Sequence, residues 1–72
     1  MKDKYYTLLK FGRRIRTERL KLNISQERLG ELAGVHRTYI GMIERGEKNI
    51  TLLNMEKFAS ALNLELRQLI DF

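Results

Sequence analysis

The chain has 72 residues, a formal net charge of +5, and neither cysteine nor proline. That length suits one small domain, which at this size buries only about 60% of the surface its unfolded chain exposes, so dimerisation is a natural supplement. The composition excludes a disulfide framework and a cysteine-ligated metal, and no apolar run approaches the ~18 residues of a membrane span.

The N-terminal Met1-Lys2-Asp3-Lys4-Tyr5-Tyr6 lacks the long apolar core of a signal peptide, so a cytoplasmic protein is expected. A first helix is predicted over about residues 7–22, with Leu8, Phe11, Ile15 and Leu22 on one face. Arg19 falls on that same face, and an arginine turned to a core needs an anionic partner. The basic excess lies in this part of the chain. Residues 1–24 carry eight Lys/Arg against two Asp/Glu, residues 25–50 carry four of each, and residues 51–72 carry two against three. A basic flank suits a polyanionic partner, the bland alternative being a solvated helix face.

Ser25 is the expected N-cap of a second helix, with Ile24 placed to staple onto Leu29. Leu29, Leu32 and Ala33 give that helix one apolar face. Gly34 stands where the helix must stop and the chain must bend, a position that favours φ > 0. Val35 is placed to plug the corner, and Gly30 leaves room for the next helix to cross closely. The third helix is predicted over about residues 36–45. Ile40, Ile43 and Glu44 point inward and Arg37, Thr38, Gly41, Met42 and Arg45 outward. Glu44 is the expected partner of Arg19, an ion pair tying the first helix to the third. Gly46 ends this helix and opens a loop over residues 46–50. Thr51 caps a fourth helix whose predicted core stripe is Leu52, Met55, Ala59 and Leu62. Asn63 suits a left-handed turn. A short fifth helix over about residues 65–70 brings Leu66, Leu69, Ile70 and Phe72. One face of it seals the core and the remainder is expected to form a dimer surface. The whole is a single all-α domain over residues 1–72.

Two short helices meeting at a glycine-bearing corner form the pattern of a helix-turn-helix, whose second helix enters the DNA major groove. At the small residue Gly30, and at Gly34, Val35, Ile40 and Ile43, the chain resembles the phage-repressor-like (Cro/CI, XRE-type) helix-turn-helix family. The flanks Ile24-Ser25-Gln26, Ile43-Glu44-Arg45-Gly46, Leu62-Asn63-Leu64 and Leu69-Ile70 are similar too, so the likeness spans roughly residues 11–70. It implies a compact five-helix lambda-repressor-like domain, and the same Arg19–Glu44 pair. Within the family, the run Arg37-Thr38-Tyr39-Ile40, then Ile43-Glu44-Arg45 and Asn49, resembles the short controller proteins of restriction–modification systems. That likeness implies a switch between activating and repressing the protein's own operon, with RNA polymerase a candidate partner.

On the outward face of the third helix, Arg37 and Thr38 are the first expected base contacts, because they lie at the N-terminal end that reaches base edges. Met42 is expected against thymine methyls. For Gly41 two readings stand: the backbone comes close to DNA there, or the site makes no base contact. Tyr39 either reaches a phosphate or sugar or covers the core edge. Lys48 and Asn49 in the loop are expected near the DNA backbone, the bland alternative being a solvated loop; Arg45 is expected there too, and His36 either caps the turn or contacts a phosphate. The resemblance implies that Gln26 and the first amides after Ser25 grip a phosphate. His36 is the only histidine, and no ligand cluster accompanies it, so no metal is expected.

These readings converge on a sequence-specific DNA-binding transcriptional regulator, a homodimer on an inverted repeat. The chain leaves no room for a ligand-sensing domain, so no cofactor or small-molecule ligand is expected. The alternative is a helical protein-interaction module, an antitoxin or adaptor without specific DNA reading. An enzyme is not expected. The sequence has no paired His–Ser or His–Cys constellation and no glycine-rich phosphate loop, and its carboxylates are scattered.

Overall fold

The computed structural model describes residues 4–72, and Met1–Asp3 of the segment read above as lacking a leader lie outside them. Five helices follow in order: α1 Lys4–Lys21, α2 Gln26–Ala33, α3 Arg37–Glu44, α4 Leu52–Ala61 and α5 Leu66–Leu69. α3 packs between α1 and α2, α2 also meets α4, and α5 closes against α4 and α1.

Local chemistry places each helix end. Ser25 Oγ accepts from the Arg28 amide at 2.9 Å, and Thr51 Oγ1 accepts from Asn54 at 3.2 Å. Both satisfy amides that a helix start leaves unpaired. Gly34 ends α2 at φ 75°, and the following Val35 amide donates back to the Gly30 carbonyl at 2.9 Å. Asn63 takes the left-handed turn expected of it (φ 60°) after α4, and Asn23 takes the same conformation (φ 58°) after α1. Gly46 does so after α3.

The core is Phe11, Ile15, Leu29, Ala33, Ile40, Ile43, Phe58, Ala59, Leu62 and Leu69. Four expectations change here. Leu22 lies beyond the end of α1 and is exposed, because the chain leaves the helix at Lys21. Leu32 is exposed at the rim of α2. On α4, Leu52 stands 61% exposed while Phe58 is fully buried, so the core stripe runs through Phe58. Leu69 is fully buried and seals this chain's own core, so it is no part of a dimer surface. A four-residue α5 has one inward position, and Leu69 takes it.

Gly12 does what periodicity does not reveal. A Cβ there would stand 2.3 Å from the Ile43 carbonyl oxygen and 2.7 Å from that of Glu44. The missing side chain lets α1 lie directly on the backbone end of α3. Gly30 has the same role at the corner, where a Cβ would come within 2.6 Å of the Val35 oxygen. The chain end is tied down too. Arg14 donates to the Gln68 carbonyl at 2.8 Å and to that of Asp71, and Lys10 lies 5.3 Å from the Phe72 ring centroid.

Candidate nucleic-acid interface

α3 is fixed from below by a carboxylate. Arg19 of α1 donates through Nε to Glu44 Oε2 at 2.6 Å and through Nη2 to Oε1 at 3.1 Å. Its Nη1 donates to the Ile24 carbonyl at 2.9 Å. The two side chains are only 10% and 4% exposed. Gln26, at the start of α2, adds a third contact, Nε2 to Glu44 Oε1 at 3.0 Å. One carboxylate therefore binds α1, α2 and α3 together. Among the described residues no buried side-chain nitrogen or oxygen lacks a partner, as burial of a charge requires.

With Ile40 and Ile43 turned into the core, α3 leaves its other side to solvent. Arg37 and Thr38 stand exposed at its N-terminal end. Arg37 Nη1 donates to Glu27 Oε2 on α2 at 3.2 Å, a surface pair with both side chains about two-thirds exposed. His36 caps the helix, its Nδ1 accepting from the Thr38 amide at 3.0 Å. Met42 is half-buried, and Lys48 and Asn49 are exposed in the loop. Asn49 Oδ1 accepts from the Ile50 amide at 2.9 Å. Ser25 spends its hydroxyl on the α2 cap, beside the exposed first turn.

Tyr39 joins the core edge. It is half-buried, its ring meets Phe58 edge-on at 6.1 Å, and its hydroxyl accepts from Asn54 Nδ2 at 3.2 Å. Gly41 lies on the outward side as expected but is buried, because the Arg45 and Gln26 side chains lie over it. Arg45 is exposed and donates to both oxygens of Glu47, at 2.8 and 3.1 Å. That fork raises the Arg45 pKa and lowers that of Glu47 below its ordinary 4.5, chiefly through the side-chain hydrogen bonds. The acidic partners Glu27 and Glu47 escaped the sequence reading. Glu47 carried a signal, two positions after Arg45 in a loop. The Glu27–Arg37 pair depends on how α2 and α3 cross.

α2 and α3 meeting across the Gly34–Val35 corner define the class: a helix-turn-helix protein. The chain belongs to the helix-turn-helix family, whose model matches residues 15–69. It is 48% identical over 65 residues to the control protein C.BamHI of Bacillus amyloliquefaciens, covering 89% of this chain and 80% of that protein. Among solved structures it resembles the restriction–modification controller protein C.AhdI from Aeromonas hydrophila. The TM-score is 0.90 at 46% identity, over 94% of this chain and 99% of that one. It also resembles the P22 c2 repressor in complex with a synthetic operator. There the TM-score is 0.78 at 34% identity, over 85% of this chain and 92% of that one. The phage-repressor-like fold and the controller-protein resemblance expected from the motifs are thus borne out. No helix among the described residues is long and apolar enough to cross a membrane.

Proposed function

We propose that this chain is a transcriptional controller that reads an inverted-repeat operator in double-stranded DNA as a homodimer and regulates its own operon, and that it is not an enzyme. The observation that carries this is the open face of α3, held on its scaffold by the Arg19–Glu44–Gln26 network with Arg37 and Thr38 at the leading end. The likeness to controller proteins and to an operator-bound repressor supports it. Arg37 and Thr38 contact base edges, and Met42 lies against thymine methyls. Ser25, Gln26, His36, Lys48 and Asn49 place the protein along the sugar–phosphate backbone. Leu66, Ile70 and Phe72 supply apolar groups for the twofold contact, Ile70 and Phe72 being exposed beside the anchored chain end. Half-site centres then lie about 34 Å apart, one turn of the duplex. RNA polymerase is the further partner of such a switch, and the cytoplasm its compartment.

The test is selection from a pool of random duplexes at about 0.15 M salt, since binding is interpretable only at a stated salt concentration. Enrichment of an inverted repeat with fixed spacing is expected. Retention without enrichment overturns sequence reading and leaves electrostatic attraction to the basic α1. Loss of all retention favours the interaction module.

A further inference from the structure

Arg45 follows the last residue of α3, yet its side chain does not extend off the helix end. It folds back along the open face. Nη1 lies 3.0 Å from the point where a Cβ on Gly41 would stand, and Gln26 Oε1 lies 3.5 Å from that point. The guanidinium thus rests one turn before its own Cα, over bare backbone in the middle of α3. Any side chain at 41 meets it. A mid-helix glycine weakens a helix, and its room here is filled by Arg45. The other edge of the guanidinium is held by Glu47, through Nε to Oε2 at 2.8 Å and Nη2 to Oε1 at 3.1 Å. An arginine carries five N–H donors. Two go to Glu47, and three remain free of that fork, both on Nη1 among them.

We propose that Arg45 reads a base edge and that Glu47 is the specificity-determining residue that positions it on its Gly41 seat; this rests on α3 being the recognition helix. The charge of the unit favours a base over a phosphate. A free arginine seeks the nearest phosphate as a cation. Arg45 and Glu47 together are neutral, and a phosphate oxygen approaching Nη1 meets the carboxylate's repulsion as well. A base edge is uncharged and offers acceptors, such as guanine O6 and N7, to the remaining N–H groups. The fork also removes rotamer freedom that a long side chain otherwise loses on binding.

The experiment compares the full chain with Glu47→Gln, Arg45→Ala, the double variant and Gly41→Ala. Each is titrated against the duplex that wild type selects, its single-base-pair variants and a random duplex, at several salt concentrations. Helical circular dichroism confirms folding. Glu47→Gln is expected to bind random duplex more tightly and to lower the selected-to-random affinity ratio about five-fold or more. Its salt slope steepens by about one unit as the freed arginine takes a phosphate. In the Arg45→Ala background the same change leaves the ratio unmoved. Gly41→Ala relaxes preference at the base pair that Arg45→Ala relaxes. An unchanged ratio in Glu47→Gln reduces the fork to a surface ion pair and overturns the proposal. So does a fall that persists without Arg45, which would make Glu47 a direct contact. Arg45→Ala weakening every duplex alike assigns Arg45 to a phosphate and also overturns it. Wild type preferring no duplex overturns the function proposed above, and this inference with it; wild-type preference with any of the preceding results overturns this inference alone.

Discussion

Arg19 and Glu44, 25 positions apart in the chain, meet through two N–H···O bonds of 2.6 and 3.1 Å, nearly sealed from solvent. The pair joins α1 to α3. It sets the height and tilt of α3 on α1, while Gln26 ties the same carboxylate to the start of α2. Removing one partner strands a buried charge, which is costlier than the pair itself is stabilising. Glu44→Gln is expected to lower stability by about 3 kcal/mol. Replacing both residues with apolar ones recovers part of that loss. Urea unfolding of the single and double variants checks both, and a double variant no better than the single one contradicts the account.

Gly12→Ala tests the closeness of α1 and α3. Its Cβ meets two backbone carbonyl oxygens, at 2.3 and 2.7 Å, and backbone cannot swing aside as a side chain can. A loss of about 2–3 kcal/mol is expected, at the upper end of overpacking costs. Thermal melting measures it, and an unchanged midpoint would show that the helices separate freely.

Arg37→Ala is expected to cost about 1–3 kcal/mol of binding at one base pair and to relax specificity there. The Glu27 pair is exposed at both ends, so it holds Arg37 only loosely before DNA arrives. Titration against single-base-pair variants decides the point. Uniform weakening across all of them would make Arg37 a phosphate contact.

Lys48→Ala has the opposite signature. It stands exposed in the loop after α3, and a phosphate contact there weakens every duplex alike. The slope of log affinity against log salt falls by about one unit. A slope equal to wild type removes Lys48 from the interface.

Glu47 carries the pH dependence. Its pKa is lowered from the ordinary 4.5, first by the hydrogen bonds from Arg45. A lowered carboxylate keeps its fork above the ordinary value and loses it as pH falls through the lowered one. Carboxyl-detected NMR should place the Glu47 midpoint below 4.5 in wild type and return it toward 4.5 in Arg45→Ala. Equal midpoints would mean that the fork is not maintained in solution.

What the sequence determined by itself was whatever local chemistry specifies. Ser25 and Thr51 as caps, Gly34 and Asn63 as left-handed stops, and the inward Ile40, Ile43 and Glu44 all follow from residue type and from a period of 3.6. The Arg19–Glu44 pair followed as well, because a charge on an apolar face demands a partner and Glu44 falls on the inward face of the third helix. Tertiary structure alone decided what covers each face. α4 has apolar residues on more than one stripe, so only the packing of α2 and α5 against it chose Phe58 over Leu52. Leu69 looked available to a second subunit until α5 turned it under its own chain. Gly12 and Gly41 are silent in a pattern of apolar residues, since their contribution is the absence of atoms. What fills that absence is the end of α3 at one and a folded-back arginine at the other. Periodicity reports which residues share a side of a helix; distance between helices, and hence which side chain finds which partner, exists only once the helices are packed.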